Sequence, residues 1–584
     1  MAKNILPIFE WGKNYNKSFL SSDLTAAVIV TIMLIPQSMA YALLAGLPPQ
    51  IGLYASILPL IAYAAFGTSR ALAVGPVAVI SLMTAAAIGK LSGLEPSEYL
   101  IAASTLALLS GLFLVILGIF RLGFITNFLS HPVIAGFITA AGLIIAATQL
   151  KHILGIKASG QNLLELLTSL ISGIGSTNWI TFSIGVFAIG FLLWVRRELK
   201  PTLLRLGTSN ELAEFASKIG PALVVILTIL PVWALGLREQ GVLVVEDIPI
   251  GLPSLSLQGF SAELWISLIS SAMLISLVGF VESISVAQTL AAKERNRINP
   301  NQELIGLGAA NIASGISGAY PVTGGFARSI INYDAGAKTP AAGAFTALGI
   351  ALSTLTLTPA LYYLPKATLA AIIIVAIISL IDFNILRHTW QYSRRDFIAA
   401  LATIIITLIL GVEIGITVGI ALSIFLFLHK TSSPHIAVVG LIPGTEHFRN
   451  RERNEVETHD EILCARVDQS LYFTNARYLE DYLTDKVKAD NNIKHIILVC
   501  SSINEIDATA LSALESVNET LMRNGVQFHL SEVKSTILDK LNRTSFPDDL
   551  SGEIFSTQFS AYTNLCEKCD CSEREEKEKQ HTKS

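Results

Sequence analysis

Twelve runs of 16 to 27 mostly apolar residues fill the first 430 positions of this 584-residue chain, at 25–45, 50–66, 72–89, 98–120, 131–150, 177–195, 219–236, 264–290, 341–358, 367–384, 397–412 and 413–429. About 20 such residues cross the hydrocarbon of a bilayer as a helix, so the runs dictate a polytopic α-helical membrane protein. The charges agree. Residues 1–430 carry 24 Lys+Arg and 19 Asp+Glu, whereas residues 431–584 carry 17 and 26. The first part is sparsely charged and net positive; the last has the composition of an acidic soluble domain. With no basic face on that soluble part, nucleic acid is not expected as a partner. Five cysteines in 584 residues do not make a disulfide framework. The polar, basic start MAKNILPIFEWGKNYNKSF does not read as a cleavable signal peptide.

The stretch 303–335 is apolar but broken by Gly and Pro, and holds up to two further short segments, so hydropathy leaves the count between twelve and fourteen. The basic residues bear on this through their preference for cytoplasmic loops. With fourteen spans, Lys13 and Lys17, Arg121, Arg196 and Arg197 with Lys200, Lys293 with Arg295 and Arg297, Arg394 and Arg395, and His429 with Lys430 fall on one face. Glu95, Glu98, Glu246 and Asp247 fall on the other. The expected organisation is a cytoplasmic N-terminus (1–22), a transmembrane domain (23–430), a cytoplasmic α/β domain (431–565) and a charged, disordered end (566–584) in a cell-membrane protein. Within the α/β domain EILCARVDQSLYF, KHIILVCSS and VQFHLSEV read as strands, and ARYLEDYLTDKVKAD and ATALSALESVNETLMRNG as helices.

Two places in the apolar part break helical pattern and then resume it: Ala73–Val77 (AVGPV) and Pro321–Phe326 (PVTGGF). A helix that starts within the membrane points unpaired N–H groups and a partial positive charge into a protein-lined cavity, and two such starts make an anion site. Ordinary Gly/Pro kinks would have the same composition. Arg328 follows the second break and is either part of that site or an arginine reaching for the interface. Glu282, near Ser276, Ser283 and Ser285, is a partner for Arg328, a carrier of a coupling proton, or a carboxylate near a helix end. Glu413 reads as a helix-start residue. Gln37 and Tyr41 share one helix face.

Enzyme signatures are missing. GLGAANIASG has Asn311 where a dinucleotide loop needs its third glycine, and no GxxxxGK[ST] occurs. Cys566, Cys569 and Cys571 form a CxxCxC that could bind metal or be incidental, and no cofactor is expected.

The segment IPQSMAYALLAGLPPQIGLYASILPLIAYAAFGTSRALAVGPVAVISLM resembles the opening of the SulP sulfate-permease anion transporters, whose relatives include plant sulfate transporters, bacterial anion transporters and prestin. TGGFARSIINYDAGAKTP is similar to that family's tenth-helix motif, and IILVCSSINEIDATALSALE to the centre of a STAS domain. The resemblance implies fourteen segments in two inverted seven-segment repeats, divided into core and gate parts. It places the anion between the N–H groups of Val77 and Ala78 and those of Phe326 and Ala327, with Gln37, Tyr41 and Arg328 around it. It also implies elevator-like movement in a homodimer. Many relatives have Ser at the position of Ala327, and soluble STAS regulators have a phosphorylated Ser where Ala508 follows Asp507, with Thr509 next. The reading is secondary active sulfate transport coupled to protons through Glu282. Bicarbonate, chloride or dicarboxylate transport, exchange or sodium coupling are alternatives, as is a membrane sensor whose STAS domain binds a cytosolic partner.

Overall fold

The computed structural model describes residues 6–581 except 92, 129, 161, 250, 256–260 and 294; of the side chains of 126–128, 211 and 570–581 nothing is said. The chain divides into two units, Met1–Ser423 and Ile424–Ser584, with the boundary inside the helix Val412–Ser432.

The first unit is helical. Among the described residues seven helices are long and apolar enough to cross a membrane, and eight if Leu212–Lys218 and Gly220–Ala234, bent by 62°, count as one. Shorter apolar helices such as Ala78–Ile88, Ala341–Thr356 and Lys366–Ile378 lie among them. Their outward side chains are apolar: Val28, Ile116, Phe187, Ile266 and Leu352 are all exposed, as befits helices that meet lipid. Inside, small residues let backbones approach. A Cβ on Gly111 would lie 2.7 Å from the carbonyl oxygen of Gly308, and one on Gly308 2.9 Å from that of Gly111, so Pro96–Ile119 and Pro300–Ile316 pack with almost no side chain between them.

Buried carboxylates peg this packing. Asp23, fully buried, accepts from the N–H groups of Lys338 and Thr339 at 2.7 and 3.1 Å and from the Thr339 hydroxyl at 2.6 Å. Glu303, also fully buried, accepts from Tyr63 (2.7 Å), from the Thr68 and Ser69 N–H groups (2.8 and 3.1 Å) and from the Thr68 hydroxyl. Charge-assisted bonds of this kind are the strong ones, and they offset the desolvation of each carboxylate. Glu413 is not merely a helix-start residue: it is buried, accepts from the Ser271 hydroxyl at 2.9 Å and pairs with Lys90.

The second unit is a six-stranded sheet in the order Phe448–Asn450, Ile436–Leu441, Ile462–Val467, His495–Val499, Gln527–Ser531, Ile554–Phe555. The first two pairings are antiparallel and the remaining three parallel, with Ile462 opposite His495 and His495 opposite Gln527. Leu463, Ile496, Leu498 and Phe528 pack with Leu479, Leu483 and Leu514 of the helices Ala476–Ala489 and Ala508–Arg523. Ile462, Cys464, Ile497 and Val499 pack with Ala561, Tyr562, Leu565 and Cys569 of the helix Gln558–His581. Both faces are covered, which is why the central strands read as continuous apolar runs.

That last helix takes in Cys566 and Cys569, from the start of the end expected to be disordered. Tyr562, Leu565, Cys566 and Cys569 recur at helical spacing and pack on the sheet, and Cys569 is 3% exposed. The Cys571 side chain and residues 582–584 lie outside what the structure describes. Burial and a hydrogen bond to Glu461 push the Cys569 thiol up to about 12, which disfavours the thiolate a metal needs. Among the described residues no group of three His, Cys, Asp or Glu side chains is arranged to hold a metal ion. Asp507 caps its helix through the Ala510 N–H (2.8 Å) and also accepts from the Phe473 N–H (2.8 Å), while Ala508 and Thr509 are exposed.

Two outcomes follow. Asp23→Ala leaves the N–H groups of Lys338 and the buried Thr339 without their acceptor and should destabilise the full chain by about 2 kcal/mol or more, read as a lower thermal midpoint in detergent. His529 accepts from the Glu553 N–H at Nδ1 (2.9 Å), so its proton sits on Nε2, which faces Nδ1 of His495 at 3.2 Å. Burial, then His495, holds His529 down at about 4. A folded-state value below the ordinary 6.5 stabilises above pH 6.5, and that contribution is lost as the pH falls through about 4. Unfolding of this unit, followed by tryptic cleavage, should therefore become easier between these values, and less steeply so in His529→Gln.

Candidate anion-binding site

Thr323–Gly324 pairs antiparallel with Val74–Gly75, with Val74 opposite Gly324 and Gly75 opposite Thr323. Each short strand runs into a helix, Ala78–Ile88 after Val77 and Phe326–Asp334 after Gly325, and neither start has a side-chain cap. The two breaks in the sequence are therefore helix starts rather than kinks, and they are joined through their backbones.

Side chains from neighbouring helices hold the extended segments. Asn311, the false third glycine, accepts from the Val322 N–H and donates to the Val322 carbonyl, both at 2.9 Å. The Ser283 hydroxyl lies 2.6 Å from that of Thr323 and accepts from the Gly324 N–H at 2.8 Å. Ser329 receives the Ala73 N–H at 3.0 Å, and Asn332 donates to the Ala71 carbonyl at 3.0 Å. Of the three serines near Glu282 only Ser283 reaches this region; Ser276 bonds the Ser110 and Ala272 carbonyls, and Ser285 that of Val281. Sequence reading missed Asn311, Ser329 and Asn332, whose signal is a polar residue recurring on the buried face of a spanning helix.

Arg328 does not snorkel: it is 2% exposed. Its Nη2 donates to the Pro76 carbonyl at 2.5 Å, and its Nη1 is buried with no hydrogen-bond partner. A Cβ on Gly75 would lie 2.9 Å from Nη1 and one on Gly325 2.6 Å from Nε, so the guanidinium occupies the space that both glycines leave open. Gln37 Nε2 donates to the Tyr41 hydroxyl at 2.9 Å, leaving its buried Oε1 without a partner. Turning the amide over keeps the bond to Tyr41 and presents the NH₂ as a donor instead. Val77 and Ala78 are buried, while Phe326 and Ala327 are exposed at the second helix start. Glu282 is half-buried, interacts electrostatically with Arg328, and among the described residues makes no ion pair or hydrogen bond. The structure thus places a free carboxylate, a buried cation with unused donor capacity and two uncapped helix starts in one region.

Residues 20–403 match the sulfate permease family and residues 453–561 the STAS domain. The chain is 36% identical over 578 residues to the probable sulfate transporter 4.2 of Arabidopsis thaliana, covering 96% of this chain and 83% of that one. It is 32% identical over 571 residues to the high affinity sulfate transporter 2 of Stylosanthes hamata, covering 95% and 85%. Its fold resembles the solved structure of SLC26A9, with a TM-score of 0.87 at 22% identity, over 98% of this chain and 94% of that one. The transmembrane domain of the cyanobacterial bicarbonate transporter BicA aligns with a TM-score of 0.60 at 21% identity, over 69% and 98%. The chain belongs to the sulfate permease family, as a membrane transporter of anions that ends in a STAS domain.

Proposed function

We propose that this protein takes up sulfate by secondary active transport coupled to protons. The carrying observation is the backbone pairing that sets two uncapped helix starts beside the buried Arg328. Each helix start contributes roughly half a positive charge, so with the guanidinium the site offers about two, the charge of sulfate. The ligand would lie between the N–H groups of Val77 and Ala78 and those of Phe326 and Ala327, with Gln37, Tyr41 and the free Nη1 of Arg328 as further donors. The sulfate transporters named above support the substrate.

Glu282 supplies the coupling. While ionised it cancels one positive charge; protonated, it restores the match to a dianion. Proton and sulfate binding then favour one another by linkage. Bicarbonate is the second reading, supported by the structural likeness to BicA; a monoanion would suit the site with Glu282 ionised. Alternating access would proceed by elevator-like movement of a core part carrying both half-helices against a gate part, within a homodimer of fourteen-segment subunits. The basic loops support a cytoplasmic N-terminus and STAS domain.

Uptake of labelled sulfate and bicarbonate into proteoliposomes tests this. Sulfate uptake should rise as the outside is acidified, and bicarbonate uptake without sulfate uptake would sink the substrate assignment. Arg328→Ala should lower sulfate uptake by about a hundredfold or more at unchanged yield and melting temperature, in line with loss of a charged contact at a desolvated site. Glu282→Gln should transport at a rate independent of outside pH; retained acid stimulation would show that the proton rides elsewhere. Ala327→Ser adds a donor at the second helix start and should lower KM by roughly twofold to tenfold, the range of one hydrogen bond.

A further inference from the structure

A second cavity, of about 260 Å³, lies away from the site above and is lined by Thr68, Ser69, Arg70, Arg297, Tyr333 and Glu10, among others. Its lining is rich in polar side chains. Both Arg70 and Arg297 are exposed, and among the described residues neither makes an ion pair or hydrogen bond. Glu10 is the acidic group in the lining, and Lys293, over the Tyr333 ring at 5.7 Å, adds a further cation nearby. Among the described residues the lining therefore has a positive balance and two guanidinium groups without partners.

Its wall is fixed in advance. The Thr68 and Ser69 N–H groups are held by the buried Glu303, and the next residues by Asn332 and Ser329 of the second half-helix (Ala71 carbonyl and Ala73 N–H, both 3.0 Å). Arg70 is thus mounted on a loop with little freedom. Arg297 precedes Asn299, which caps Pro300–Ile316 through the Asn301 and Gln302 N–H groups. Arg70 and Arg297 line one small polar cavity, and a tetrahedral oxyanion there can accept from planar guanidinium groups and offset their like charge. We infer that the cavity between Arg70 and Arg297 is a second oxyanion site, taking a sulfate- or phosphate-type group, either free or as the phosphate of a lipid headgroup.

The site also has a route to the transport site. The loop bearing Arg70 leads directly into Ala73–Val77, and Tyr333 lies in the last turn of Phe326–Asp334, so an occupant touches the far ends of both segments that meet at Arg328. Oxyanion bound here would restrain the two half-helices together.

Equilibrium binding of labelled sulfate to the full chain in phosphatidylcholine nanodiscs tests the inference, with inorganic phosphate as competitor. Wild type should bind two sulfates per chain, Arg70→Gln/Arg297→Gln one, and Arg328→Ala the other one. Arg70→Lys/Arg297→Lys keeps the charge but not the fork and should weaken the second site about tenfold or more, with an unchanged melting temperature. A parallel arm uses nanodiscs containing phosphatidic acid: lipid retained by wild type and lost in the Gln pair assigns the same site to a headgroup. If the Gln pair changes neither sulfate stoichiometry nor lipid retention, the inference is wrong. Loss of nothing in Arg328→Ala would instead overturn the transport-site reading while leaving this one standing.

Discussion

Everything in the membrane unit is arranged around a two-residue pairing, Val74–Gly75 against Thr323–Gly324. Extended backbone in a bilayer interior is tolerable only if its N–H and C=O groups find partners in protein. Pairing the two breaks with each other meets part of that need, and Asn311, Ser283, Ser329 and Asn332 meet the rest. The N–H groups left over are those of the first helical turns, and they sit where the helix dipoles add. The positive pole is therefore a consequence of how the chain solves its backbone accounting. Arg328 could not be buried there without Gly75 and Gly325, whose missing side chains make room for its guanidinium.

A second layer of polar pegs keeps that pairing in register. Glu303 binds the loop that enters the first strand, and Asp23 binds the segment that leaves the second half-helix. Each is fully buried and spends its oxygens on several donors, so the charge is delocalised over fixed dipoles instead of over water. Tight helix contacts such as Gly111 on Gly308 supply the packing that lipid, being as apolar as the side chains, does not drive.

Much of this was legible in the sequence, for stated reasons. Apolar runs and Gly/Pro breaks are one-dimensional signals, and so is an arginine in an apolar stretch; all three led to the two helix starts and Arg328. The strands at Ile462, His495 and Gln527 were equally plain, because a strand covered on both faces is continuously apolar. The edge strands Phe448–Asn450 and Ile554–Phe555 were not, being short and only partly buried. Nor was the role of Asp23, which looks like any acidic residue before a span until its partners more than 300 positions away are known. Glu413 shows the same limit: its spacing indicates a helix start, but only the fold brings Lys90 and Ser271 to it.

The distribution of carboxylates gives Glu282 its significance. Among the described residues three acidic side chains of the membrane unit are buried, and all are committed: Asp23 and Glu303 to N–H and hydroxyl donors, Glu413 to Lys90 and Ser271. Glu282 is half-buried beside the positive pole, and among the described residues no group forms a hydrogen bond or ion pair with it. A proton that must travel with an anion needs a base whose protonation breaks nothing else, and Glu282 meets that condition. One carboxylate carries one proton, however. Sulfate entering with a single proton still moves one net negative charge, which costs about 2.3 kcal/mol per 100 mV of inside-negative potential. On the proposed mechanism, that remainder has to come from the concentration gradients of sulfate and of the coupled proton, or from a further proton. The second source would require a protonatable group that the first movement exposes, and the carboxylates already pegging the fold are poor candidates because releasing one would loosen the pairing itself.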